Sequence, residues 1–79
     1  MPKYQIRLTN SEFDSAEESD YHSIVAASKE GIRTAARVAA DRLEDGMTSE
    51  AIEIRISEGD RIVARHVVSL SVSNLDADA

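Results

Sequence analysis

The first residues of the chain alternate between apolar and polar positions. Polar side chains separate Tyr4, Ile6 and Leu8, a period of two that is typical of a strand with one buried face. The sequence therefore predicts a strand over residues 3–9. The next stretch, residues 10–22, is mostly polar and contains turn formers, so we expect a loop there and leave open an additional short strand.

Between residues 24 and 43 the apolar positions change to helical spacing. One amphipathic helix is predicted, and its small residues at positions 27, 31, 35 and 39 allow it to lie close to a sheet. Ser15, Asp20 and Ser23 are alternative N-caps, and Gly46 is the expected C-terminal cap. At about 100° per residue, the predicted buried face consists of Ile24, Val25, Ala27, Gly31, Ile32, Ala35, Ala36, Val38, Ala39 and Leu43.

Two further strand-like runs follow the helix and predict a hairpin. Residues 52–57 alternate, Glu58-Gly59-Asp60 interrupts, and residues 62–72 are rich in β-branched side chains. The last run is apolar on both faces and is interrupted by His66, so we expect either a bulge near residues 66–68 or a strand covered on both sides. Because the run over residues 62–72 is longer than the run over residues 52–57, we favour a partner subunit that covers its far end.

These elements predict an α+β domain of the β-α-β-β type, a two-layer sandwich with one helix on one face of the sheet. A right-handed crossover through the helix returns the second predicted strand parallel to the first. The third strand, antiparallel to both, then lies between them. The prediction is a three-stranded antiparallel sheet of order 2-3-1, in a single domain over residues 1–75 with a disordered acidic tail at 76–79.

The composition argues against several classes of protein but does not identify a function. A core in a chain of 79 residues rarely supplies more than about 3–5 kcal/mol, and there is no cysteine to form a disulfide, so we expect a homo-oligomer. No apolar run is long enough for a membrane span or signal peptide, and we expect a cytoplasmic protein. The net charge of -6 works against binding to nucleic acid.

The predicted helix carries one compact cationic pattern, which we call the basic stripe: Lys29, Arg33 and Arg37. It is the candidate contact surface for phosphate, RNA or an acidic protein partner. The favoured interpretation is a solvated helix face, with local pairs from Glu30 to Arg33 and from Arg37 to Asp41. The stripe lacks the interleaved aromatic residues of surfaces that bind single-stranded nucleic acid.

Acidic residues crowd one short region, residues 12–20, which we call the acidic segment. Its oxygen ligands suit a divalent cation, but their spacing does not match a calcium loop, and a solvated loop is the favoured interpretation. A further hypothesis is that the acidic segment of one subunit docks on the basic stripe of a neighbour.

No local motif predicts catalysis. His22 and His66 are the only histidines, and neither has a nucleophile motif or a second histidine at metal-ligand spacing beside it. His66 is better explained as a strand residue at a bulge or an interface than as a base. We therefore predict no enzyme activity, no metal and no resident cofactor.

Several segments resemble a family of short bacterial proteins of unknown function. The resemblance lies in the opening Met1-Pro2-Lys3-Tyr4, the alanine-rich helix around residues 24–32, and the hairpin over residues 54–61. Those proteins typically begin Met-Pro-Arg-Tyr and end with an Asp-Glu-x-Gly-Arg hairpin. The resemblance implies no activity.

A weaker resemblance, of topology, is to the dodecins, small flavin-storing oligomers that also look like strand, helix, strand, strand. They share a Gly-x-x-Ile-Val run, here Gly59 to Val63, but their flavin stacks on a tryptophan that this chain lacks. The expected function is a noncatalytic interaction or self-assembly module. The alternative is a carrier of a small, flavin-like ligand, with a site formed between subunits.

Overall fold

The structure is a computed structural model that describes residues 1–73. Its elements are β1 (Lys3–Thr9), β2 (Asp14–Asp20), α1 (Ile24–Glu44), β3 (Ser49–Glu58) and β4 (Arg61–Ser71). The strands form one sheet of order β2-β1-β3-β4, in which every neighbouring pair is antiparallel. The α+β class and the single helix packed on the sheet are confirmed, with four strands where three were predicted.

The predicted strand order 2-3-1 is wrong, because the chain reverses once more before the helix. β2 runs antiparallel to β1, so the strand that enters α1 points the opposite way from β1. After the helix, β3 runs parallel to β2 and antiparallel to β1, and it pairs directly with β1. β4 therefore lies at the edge of the sheet, where the prediction had placed it at the centre.

A tight turn at Asn10 produces the extra strand. The Asn10 side-chain oxygen accepts hydrogen bonds from the backbone N–H groups of Glu12 and Phe13, at 2.8 and 3.1 Å. The Asn10 N–H donates to the Phe13 carbonyl at 3.0 Å, which closes the turn and starts the β1–β2 hairpin. The expectation of a loop over residues 10–22 is wrong for Asp14–Asp20. Every residue of β2 is exposed, so the strand has no apolar alternation to reveal it.

The ends of α1 have well-defined caps. Ser23, one of the three predicted alternatives, is the N-cap, and its hydroxyl accepts from the Ala26 N–H at 3.1 Å. At the other end Asp45 is the C-cap, and Gly46 follows it with a φ of 107°. The Gly46 N–H donates to Leu43 and the Met47 N–H to Arg42, which is the Schellman arrangement.

The core is a layer of large side chains on the sheet packed against small ones on the helix. Ile52, Ile54 and Ile56 of β3 are fully buried, and they pack beneath the helix stripe of small residues. The approach is close at Gly31, where an added Cβ would lie 2.8 Å from Ile54 Cγ2. The predicted stripe is thus buried, whereas Val25 on the predicted buried face is 63% exposed.

A bulge separates the start of β4 from the rest of the strand. Ile56 pairs with Ala64 and Ser57 pairs with Ile62, so Val63 has no partner on β3. The bulge predicted near residues 66–68 therefore lies a few residues earlier. The overshoot argument for a partner also fails, because β3 begins at Ser49 and nearly matches β4 in length. The predicted tail at 76–79 lies outside the described residues.

Candidate interaction surface

Within residues 1–73 the sheet has two open edges, β2 and β4. At the β4 end, the Val72 N–H donates to the Thr48 carbonyl at 2.9 Å and so points toward β3. Since backbone groups of successive strand residues point to opposite sides, the even-numbered residues from Ala64 onward face β3. The N–H and C=O groups of the residues between them point outward, namely Arg65, Val67, Ser69 and Ser71.

The side chains along this open edge are mostly uncharged. We use "β4 edge" for residues 64–72, whose sequence from Val67 onward contains only valine, serine and leucine. Val67 is 65% exposed and Val72 is 48% exposed. Natural sheets protect their edges with charges, prolines or very short strands. The outer half of the β4 edge has neither charge nor proline, and β4 is the longest strand of the described chain.

One side of α1 continues this surface above the sheet. His66 Nε2 lies 3.0 Å from Ser28 Oγ, so the Ser28 side of the helix faces β4. Val25 and Ile32 lie three residues before and four residues after Ser28, on the same side of the helix. Ile32 is 38% exposed, which is high for an isoleucine next to a sheet. We call this side, marked by Val25 and Ile32, the β4 flank of α1.

Burial decreases from β3 to β4 on the helix-covered face of the sheet. Ile52 and Ile54 are fully buried, whereas their β4 partners, Val68 and His66, are only half-buried. Leu70 is also half-buried although it packs against the core. The apolar layer is therefore incomplete at the β4 edge.

The β2 edge is acidic. Its seven residues include Asp14, Glu17, Glu18 and Asp20, and all of them are exposed. Behind it, a groove runs between β2 and α1, with Ile6 and Leu8 on its lining, and Tyr21 at one side. Burial raises the pKa of the Tyr21 hydroxyl, and the nearby carboxylates of Glu30 and Glu17 raise it further.

The open face of the sheet carries arginines on three adjacent strands. Arg7, Arg55 and Arg65 are paired directly across β1, β3 and β4. Like charges in such positions repel, and Glu53 offsets this by accepting from Arg55 at 2.6 Å and from Arg65 at 2.8 Å. These hydrogen bonds, with Arg65 first, lower the pKa of the Glu53 carboxyl. Arg7 is paired with Asp14 at 2.7 Å.

A second charged group ties the first turn to the end of the helix. Glu50 is 8% exposed, and its Oε2 lies 3.0 Å from Arg42 Nε as an ion pair, off the line of a hydrogen bond. Arg42 also pairs with Glu12, and the Asn10 amide donates to Glu50. Each carboxylate here has a partner within the chain. We therefore interpret these contacts as a structural link between the first turn and the end of α1.

The basic stripe lies on the outer face of α1, away from the sheet. Lys29, Arg33 and Arg37 are all exposed, and Arg33 pairs with Glu30 at 3.2 Å, as predicted. The acidic segment is only partly available to a neighbour, because Asp14 and Glu12 pair within the chain. The docking of this segment on a neighbour's basic stripe stays a prediction.

The two histidines lie apart and form no common site. His22 is exposed just before α1, and His66 is on β4, three residues beyond the bulge, in contact with Ser28. Among residues 1–73 no group of three or more histidine, aspartate or glutamate side chains is arranged to hold a metal ion. In the same residues no helix has the length and apolarity needed to cross a membrane.

The sequence-predicted contact residues are those of the basic stripe, and the partner expected at the far end of residues 62–72 rested on the length of that run alone. The open row of backbone groups on the β4 edge was not predicted. The available signal was the run from Val67 to Ser73, which lacks charge, glycine and proline. The hairpin and the right-handed crossover predicted a central position for this strand, and the reversal at β2 places it at the edge instead. Comparison of the sequence with protein-family models, curated proteins and solved structures finds no match.

Proposed function

We propose that this protein is a noncatalytic interaction module that assembles by adding a strand at its β4 edge. The observation that carries the proposal is the outward row of backbone groups on an edge strand that has no charged residue from Val67 onward. In strand addition these groups supply affinity through main-chain hydrogen bonds, and side chains supply specificity.

The β4 flank of α1 supports the same conclusion. An added strand lies next to β4 and beneath Val25 and Ile32, so it covers apolar surface as well as backbone groups. Half-buried Val68 and Leu70 would also lose their remaining exposure. Each fully buried aliphatic side chain is worth about 1.5–3 kcal/mol relative to an exposed one, and partial gains at several positions add to the hydrogen bonds.

A matched pair of proline substitutions tests the proposal. The Val67 N–H points outward from β4, so Val67→Pro removes a donor for an added strand and spares the β3–β4 hydrogen bonds. Ala16 is its counterpart on β2, because the Tyr21 N–H donates to Pro2 and places the Ala16 N–H outward. We expect the original protein and Ala16→Pro to form assemblies of equal mass by light scattering, and Val67→Pro to be monomeric.

Circular dichroism checks that both variants remain folded. Assembly that persists in a folded Val67→Pro variant would contradict the proposal, and so would a monomeric original protein at millimolar concentration. A flavin-like ligand carried between subunits stays an alternative prediction, which the absorbance spectrum of the freshly purified protein tests.

A further inference from the structure

We infer that the strand added at the β4 edge is the β4 edge of a second copy, paired antiparallel about a two-fold axis that passes through Val68. This inference rests on the proposed function and goes further by naming the partner, the symmetry and the register. The two copies would form one continuous eight-stranded sheet.

The bulge fixes the register by limiting the regular part of the strand. Regular pairing with β3 begins at Ala64, β4 ends at Ser71, and among residues 1–73 the last inward hydrogen bond is made by Val72. The midpoint of residues 64–72 is Val68, so an axis at Val68 gives the longest regular overlap of two identical strands. Moving the axis toward the N-terminus would bring the irregular bulge at Val63 into the pairing.

Backbone polarity agrees with this register. An axis at Val68 pairs Val67 with Ser69 of the second copy and Arg65 with Ser71 of the second copy. All four of these residues point their N–H and C=O groups outward, so each pair exchanges two hydrogen bonds.

Charge also favours an axis at Val68. In this register Arg65 faces a serine and His66 faces Leu70, so no like charges are opposed. An axis at Arg65 would place two arginines opposite each other, which is destabilising in a sheet. An axis at His66 would oppose two imidazoles beneath the helices.

The position of α1 fits a second copy. A two-fold axis normal to the sheet keeps both helices on the same face, and α1 lies mainly over β3 and β4. With strands about 4.8 Å apart, the two helix axes would be roughly 10–14 Å apart. A helix with its side chains is about 10–12 Å wide, so the two β4 flanks meet, with Val25 and Ile32 between them.

The acidic β2 edge explains why the assembly would stop at two copies. In the dimer both outer edges of the sheet are β2 strands, each with four carboxylates, so pairing of two such edges opposes like charges. An interface that uses the same patch on both copies is closed and does not propagate. The expected assembly is therefore a dimer rather than a fibre.

Single-cysteine variants read the register directly, because the chain contains no cysteine. Val68→Cys places the two thiols opposite each other across the axis, within the Cα separation of about 4.4–6.8 Å that a disulfide requires. Leu70→Cys is the matched control on the same face. Its two copies would be four residues apart along the strands, roughly 13 Å, which is too far for a disulfide.

We expect mild oxidation to link Val68→Cys into a species of twice the chain mass on a non-reducing gel, and to leave Leu70→Cys unlinked. Linkage that is stronger at residue 66, 67, 69 or 70 than at residue 68 would overturn the register. Light scattering of the original protein and of the reduced variants separates a wrong register from a wrong proposed function. An original protein that does not assemble would contradict both the register and the proposed function. An assembly larger than a dimer would overturn the closed two-fold pairing alone.

Discussion

In the described part of the chain β2 and β4 are both edge strands with an unpaired outer row of backbone groups, yet their side chains differ in nearly every respect. β2 is fully exposed on both faces and carries four carboxylates in seven residues. β4 contributes half-buried side chains to the core and has no acidic residue. Two open edges of one sheet can therefore differ in whether their side chains permit a second strand to approach.

Amide exchange should show the largest difference between the two edges. If β4 is paired in the assembly, the outward amides of Val67 and Ser69 are protected, whereas those of Ala16 and Glu18 on β2 remain open to water. We expect roughly 100-fold slower exchange on β4, which corresponds to an opening free energy of about 2.7 kcal/mol. Equal, fast exchange at all four amides by NMR would remove the distinction between the edges.

Loosening the β2 hairpin should leave β4 unaffected. Asn10→Ala removes two side-chain hydrogen bonds that form the turn and the amide that donates to Glu50. We expect the free energy of unfolding to fall by about 1–2 kcal/mol, measured in urea at fixed protein concentration. Ser11→Ala, at an exposed position of the same turn, is the control. A dimer weakened by Asn10→Ala would indicate that the two edges are coupled.

The smallest expected effect concerns Arg65, the one arginine of the β4 edge. Arg65 is held across the sheet by Glu53 and lowers the pKa of that carboxyl. In Arg65→Gln we expect the Glu53 pKa to rise toward its ordinary value of 4.5, as followed by NMR titration. Because the folded pKa is lowered, the stabilisation is present above the ordinary pKa and is lost as the pH falls through the folded value. An unchanged Glu53 pKa would show that Arg55 alone sets it.

The sequence was sufficient wherever burial produced a periodic pattern. The alternation of β1 and β3 and the small-residue stripe of α1 predicted elements that are present, and the small residues at positions 27, 31, 35 and 39 are all buried. Ser23 and Gly46 marked the helix ends because capping is a local effect.

The remaining elements depend on interactions that leave no periodic pattern. β2 forms through backbone pairing to β1 after the Asn10 turn, and its residues resemble a solvated loop. Because this one strand was missed, the predicted direction of the chain entering α1 was reversed. The last strand was then placed at the centre of the sheet, whereas it lies at the edge. The edge position of β4 was missed as a result, since a valine-rich run predicts burial without indicating whether a neighbouring strand or a second molecule supplies it.

The close approach of α1 to the sheet at Gly31 has a consequence for how this sequence can vary. Because an added Cβ would meet Ile54 Cγ2 at 2.8 Å and Ile6 Cγ2 at 3.1 Å, the three positions share a fixed volume. A larger residue at position 31 is compatible with the fold only when position 54 or position 6 becomes smaller. We therefore expect positions 31, 54 and 6 to change together in related sequences, although they lie on three different elements.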